Sequence, residues 1–237
     1  MNTALQKRFW KTVSVRPEAA GYGIFLDDKQ LKTPLKASML APTMSVAEGI
    51  AAEWDAVEDK INPLEMHLTR CANATIDKVV VDHGAVAGML AEYGATDLLC
   101  YRADGPKELV DRQAKAWDPL LEWMSDNYGV SLVATVGIMH VAQSSVGQDK
   151  LHALVSSYDP WRLTALHDLV TISGSLVLAL AVASKHLDAE AVWTLSRIDE
   201  TWQEEQWGVD DAASAAAEIK RSDFVKAAKL MDLLDQV

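Results

Sequence analysis

The sequence predicts an α+β protein, with a small N-terminal antiparallel β domain over residues 1–42 and a larger all-helical domain over 43–237. Three observations carry this. Up to Pro42 the apolar residues come in short runs broken by Gly, Asp and Pro, the pattern of small antiparallel strands. From Thr43 onward they recur at the three-and-four spacing of helices. Of the 237 residues, 49% are hydrophobic and 24% charged, so the chain can bury a core and global disorder is excluded.

Each element has its own signal. Thr12 to Val15 alternates polar and β-branched residues, Gly21-Tyr22-Gly23 turns, Ile24-Phe25-Leu26 is a short apolar run, and Asp27-Asp28 turns again before Gln30 to Thr33. So small a sheet cannot bury a core alone and is expected to lean on the helical segments after it. Ser45 with Glu48 reads as a capping box. It opens a helix whose stripe is Val46, Ile50, Trp54, Val57 and Ile61, with Asn62-Pro63 as its stop. Helices are expected over 68–81 and 85–101, and over 107–127 with a kink or restart at Asp118-Pro119. Residues 132–138 read as extended. Asp159-Pro160 opens a helix to about Val170. The uncharged stretch 169–184 reads as a buried central helix with Gly174 and Ser175 inside it, shorter than the ~20 residues of a bilayer span. Asp188 caps a helix through Gln206, Gly208 ends it, and 210–234 forms the last.

Charge narrows the function. Lys and Arg number 22 against 34 Asp and Glu, a formal net charge of −12. Nucleic acid is disfavoured because phosphate binding needs clustered cations, and anionic membrane surfaces are disfavoured by the same sign. Only Cys71 and Cys100 are present, which suits a reducing cytoplasm. Met1 to Lys11 lacks the apolar core of a secretory signal, so a cytoplasmic location is expected.

Chemical motifs are few. Gly21-Tyr22-Gly23 lacks the third glycine of a dinucleotide fingerprint, and no phosphate-binding loop occurs. None of the six histidines pairs with another at helical ligand spacing, so neither metal nor cofactor is expected. Ser175 lacks the second glycine of a nucleophile elbow. One enzymatic alternative is a cleft where His140, His167 and Asp168 converge as acid–base groups.

Two features remain. The chain has 8 tryptophans, a residue enriched where proteins bind one another. Trp54 and Trp117 lie on apolar stripes and suit core packing, whereas Trp202 and Trp207 stand among polar residues and suit either role. Between Asp199 and Asp211 lie six acids, two indoles and no base. Asp199, Trp202, Gln203 and Gln206 share one helical face, and Glu200 and Glu204 form a like-charge pair that is mildly destabilising unless a base answers it. Such a run is either a solvated face or a dock for a basic, partly apolar partner.

The chain resembles the chaperone family that assembles the soluble head of F-type ATP synthase. The resemblance runs nearly end to end, through Arg8-Phe9-Trp10-Lys11, Leu31-Lys32-Thr33-Pro34, Ala52-Glu53-Trp54-Asp55, Leu68-Thr69-Arg70 and Ala72-Asn73. It continues through residues 96–102, Trp117-Asp118-Pro119-Leu120, Gly137-Ile138-Met139-His140, Gly174-Ser175-Leu176, Leu195-Ser196-Arg197, Asp199-Glu200 and Gln206-Trp207-Gly208. His67 and Cys71 depart locally from the family pattern. The resemblance implies no enzymatic activity, no cofactor, and binding of the unassembled α subunit, whose exposed contact surface would otherwise aggregate. It places the contact on Asp199, Glu200, Glu204 and Glu205; Trp207 and Trp54 are added to these as indoles of the kind enriched where proteins bind one another. A bacterial, monomeric member is expected, and a general holdase for unfolded chains is the other alternative.

Overall fold

The computed structural model describes residues 6–236; the first five residues of the segment tested for a secretory signal lie outside them. Two compact units emerge: one comprises the chain up to His83 with Pro160–Ala165 and the residues from Lys229, the other Gly84–Asp159 and Leu166–Ala228.

The first unit contains the sheet. β1 (Val13–Glu18) and β2 (Gly21–Leu26) pair antiparallel, from Val13 opposite Leu26 to Glu18 opposite Gly21. The other edge of β2 is shared by β3 (Lys29–Gln30) near its end and β4 (Leu40–Ala41) near its start. Gly21 has φ +140°, and a Cβ there would sit 2.4 Å from the carbonyl oxygen of Ala41, so β4 closes on β2 only over a glycine. Asp27 accepts from the amides of Lys11 and Thr12 and from the Thr12 hydroxyl. The two amides hold its carboxyl below the usual aspartate range.

α1 (Met44–Asp55) lays Val46, Ala47 and Ile50, all buried, beside β1 and β2, which supplies the cover the sheet lacks by itself. Its cap is Thr43 rather than the expected Ser45–Glu48 box. The Thr43 hydroxyl accepts from the amide of Val46 and donates to the carbonyl of Leu233. The helix also ends before Val57 and Ile61, because Arg8 donates to the carbonyls of Asp55 and Val57 at 2.8 and 2.6 Å. That satisfies the helix end early.

Glu53 accepts from the amides of Leu68 and Thr69 and from the Thr69 hydroxyl, at 2.7, 2.8 and 2.7 Å. A carboxylate from one helix thus caps α2 (His67–Ala74), where the exposed N–H groups favour negative charge. One π turn, Thr75–Val79, extends α2, and its Asp77 accepts from the Thr33 hydroxyl and the Leu35 amide.

The second unit is mainly helical, with one two-residue parallel pair among its described residues. The helices are α3 (His83–Glu92, in this unit from Gly84), α4 (Lys107–Tyr128), α5 (Ser145–Ser156), α6 (Pro160–Ser173, in this unit from Leu166), α7 (Leu176–Ala183), α8 (Ala189–Ser196), α9 (Ile198–Trp207) and α10 (Asp211–Asp235, in this unit to Ala228). The pair is β5 (Tyr101–Arg102) with β6 (Thr135–Val136). α4 runs through Pro119 without restarting; Asp118 forms an ion pair with Arg102 at 2.9 Å instead of capping a new helix.

The apolar stretch 169–184 is broken rather than continuous. Gly174 takes φ +73°, and Ser175 caps α7 by accepting from Leu178. α7 is buried on every side from Leu176 to Val182, as a helix apolar all round must be. The buried Asp97 accepts from the Ser175 hydroxyl (2.7 Å) and the amides of Val177 (3.0 Å) and Leu99 (3.1 Å). Among the described residues no helix is long and apolar enough to cross a membrane.

Candidate functional site

Asp188 caps α8 as the sequence suggests, accepting from Ala191. The expected single helix to Gln206 nevertheless breaks at Arg197, which leaves helical geometry with φ −113° and ψ 17°. α9 starts afresh and ends at Gly208, φ +90°. Asp210 then accepts from the amide of Ala213 and opens α10.

The break puts bases where the sequence run has none. Arg197 lies 3.6 Å from Glu200 and 3.1 Å from Glu204, so the like-charge pair is bridged, not left unanswered. Glu205 accepts two parallel bonds from the Arg112 guanidinium of α4, at 2.9 and 2.8 Å. Arg112 also stands over the Trp202 ring at 5.0 Å. Asp199 accepts from the Gln113 amide at 2.6 Å, and the Gln113 carbonyl in turn accepts from the amide of Ala103 at 2.8 Å. The acidic run is therefore a fixed face, held to α4 by a fork and an amide.

The hydrogen bond from Arg112 holds the Glu205 carboxyl below the usual glutamate range. A depressed carboxylate contributes only while ionised, so this tie is complete above the ordinary glutamate pKa and is lost as pH falls through the lowered value. Arg112→Ala is expected to return the Glu205 titration to the ordinary range, read by carbon-13 NMR of the side-chain carboxyl. A titration unchanged from wild type would disprove the tie.

One groove of about 770 Å³ opens along this face. α9 gives Asp199, Trp202, Gln203, Gln206 and Trp207; α4 gives Leu109 and Gln113; the rest is Tyr101–Pro106 and Gly137-Ile138. The helical face expected from residue spacing is the face that lines it. Trp207 is 80% exposed and Ile138 92%. In residues 133–141 the sequence points to His140 for an enzymatic cleft and to no residue for partner contact. A usable signal was there, since no Asp, Glu, Lys or Arg occurs from Asn127 to Gln148 in a chain that is 24% charged.

The other expected residues are placed differently. Trp54 belongs to the first unit, half-buried, with its ring 5.1 Å from that of Trp10 and its N–H donated to the Thr69 hydroxyl at 3.1 Å. His167 meets Asp168 at 3.0 Å, while His140 meets the Tyr101 hydroxyl at 3.3 Å. The acid–base trio thus resolves into two separate hydrogen bonds.

A family model described as ATP12 chaperone protein matches residues 7–125. The chain belongs to the ATP12 chaperone family. It is therefore an assembly chaperone for ATP synthase, as the sequence motifs suggest. Atp12 from Paracoccus denitrificans is 45% identical, with a TM-score of 0.93 over 96% of this chain and 98% of that one. An aspartate-to-lysine mutant of the same protein matches equally well, at a TM-score of 0.93 and 97% coverage of its chain. Protein atp12, mitochondrial, of Schizosaccharomyces pombe is 24% identical over 87% of this chain and 75% of its own length. The small antiparallel sheet followed by a larger helical region is thus the ATP12 architecture.

Proposed function

We propose that this ATP12-family chaperone binds the unassembled α subunit of the soluble head of ATP synthase and masks its subunit-contact surface until the β subunit replaces it. It does so in a bacterial cytoplasm, as a monomer, without cofactor or turnover. The observation that supports this most is the groove, in which an almost fully exposed Ile138 and Trp207 face a common space beside anchored carboxylates. Exposed apolar surface of this kind marks interaction sites on soluble proteins. Aromatic anchors with surrounding acids suit a partner that is apolar and basic.

Within the contact, Glu200 and Trp207 carry the most accessible area. Asp199, Glu204 and Glu205 contribute from positions already fixed by Gln113, Arg197 and Arg112. Trp54 is a second contact in the other unit, and its bond to Thr69 makes it a packing residue as well.

A tagged form of the chain is expected to capture α and not β from cell extract. Glu200→Lys and Trp207→Ala should each weaken that capture tenfold or more with an unchanged thermal midpoint, since both side chains are exposed. Capture of neither subunit would overturn the proposal, and full capture by both variants would move the contact off α9. A general holdase would also suppress aggregation of reduced lysozyme; the proposal expects no such effect.

A further inference from the structure

The groove has one wall whose role α9 does not explain. Arg102 accepts, through its carbonyl, the amide of Gly137 at 2.8 Å. By the two-residue period of a strand, Gly137 and Thr135 turn their backbone groups toward β5, and those of Val136 turn away. Among the described residues nothing pairs with that outward side of Val136. Natural sheets protect such edges with Lys, Pro or charge. Here the flanking segment has none from Asn127 to Gln148, and Val136 and Met139 are 65% and 75% exposed. The segment is nevertheless braced, because the Gln143 side-chain amide exchanges two bonds with the backbone of Val133, at 2.8 and 2.9 Å.

The charge left available in the groove is negative. Arg102 is used by the Leu99 carbonyl and Asp118, and Arg112 by Glu205. Asp199 gives one oxygen to Gln113 and keeps the other without a partner among the described residues, and Asp104 is exposed beside it.

We propose that residues 136–139 and the Asp199–Trp207 face of α9 form one receptor for an extended segment of the client. The segment adds to the free edge at Val136 through its backbone, lays an apolar side chain between Ile138 and Trp207, and brings a lysine or arginine to Asp199. Backbone pairing supplies affinity with little demand on sequence, and the groove supplies selectivity. A second copy of this chain is the competing occupant, since two such edges can pair with each other. The inference rests on the α-subunit reading and gives it a mode.

The test is hydrogen–deuterium exchange, read residue by residue, on the full chain alone and saturated with purified α subunit, alongside capture by Val136→Pro. Proline removes the outward N–H and leaves the Gly137 bond to Arg102 in place. The expected result is a Val136 amide that exchanges at least tenfold more slowly in the complex, and a Val136→Pro chain with unchanged circular dichroism that captures α at least tenfold more weakly. Wild-type capture with a Val136 amide as fast as in the free chain overturns the inference and leaves the α-subunit reading intact. This readout needs no variant to fold. Failure of the wild-type chain to capture α overturns the reading itself. Protection of Val136 in the free chain, rising with concentration together with a dimer in sedimentation, assigns the edge to a second copy and also overturns the inference.

Discussion

Replacing Asp97 with alanine is expected to lower the unfolding free energy by roughly 3–5 kcal/mol, measured by denaturant titration. The carboxyl is buried at the start of α7 and is the acceptor for three donors, the Ser175 hydroxyl and the amides of Val177 and Leu99. Alanine leaves all three without a partner where water is excluded, each costing about 1–3 kcal/mol before relaxation. Asp97→Asn keeps the volume and one acceptor and should cost less. Burial pushes the Asp97 carboxyl up, and the hydrogen bonds from Val177, Ser175 and Leu99 pull it down without cancelling that. A folded-state pKa above the unfolded one favours folding while the group is protonated. The associated stability is therefore fully present below the ordinary aspartate pKa and is lost as pH rises through the raised value. Wild type and Asp97→Asn should accordingly show a stability difference that narrows as pH increases; a difference that widens would reverse the assignment.

Trp117→Ala is expected to cost about 3–5 kcal/mol by the same measurement, as for other fully buried aromatic truncations. The ring is 0% exposed, its N–H donates to the Leu195 carbonyl at 2.9 Å, and the Arg102 guanidinium stands 5.3 Å from its centroid. The bond reaches the last turn of α8, just ahead of the break at Arg197 that starts α9. Loss of the ring should therefore also loosen the face that lines the groove, seen as faster amide exchange through α9. Trp117→Phe separates the two parts, keeping most of the volume and losing the hydrogen bond, for about 1–2 kcal/mol. Equal losses from Phe and Ala would mean that the bond, not the volume, matters.

These two residues also explain why short motifs identified the family. Residues 96–102 meet Gly174-Ser175-Leu176 through Asp97 and Ser175, at 2.7 Å. Trp117-Asp118-Pro119-Leu120 meets Leu195-Ser196-Arg197 through the indole N–H. Ala52-Glu53-Trp54-Asp55 meets Leu68-Thr69-Arg70 through Glu53, Trp54 and Thr69. Each motif is half of a tertiary contact, so its residues are fixed by a partner elsewhere along the chain. Their identity was legible in sequence; their pairing was not, because spacing along a chain contains no information on which distant group a side chain will meet.

The same division runs through the candidate site. Helical periodicity placed Asp199, Trp202, Gln203 and Gln206 on one face, and that face lines the groove, since 3.6-residue periodicity is a local property. The bases that answer the acids lie outside the run: Arg197 reaches Glu200 and Glu204 through a helix break, and Arg112 reaches Glu205 from α4.

By itself the sequence determined the class of fold, a small sheet ahead of a larger helical region, the absence of nucleotide-binding motifs, and the resemblance to a chaperone family, all of which arise from composition, period and short motifs. Only the tertiary structure decided where helices stop, which carboxylates are held and which stay available, and that Ile138, two residues past the open edge at Val136, lines one groove with Trp207. Those depend on groups brought together from distant parts of the chain, where hydrogen bonding and exclusion of water are settled between neighbours in space.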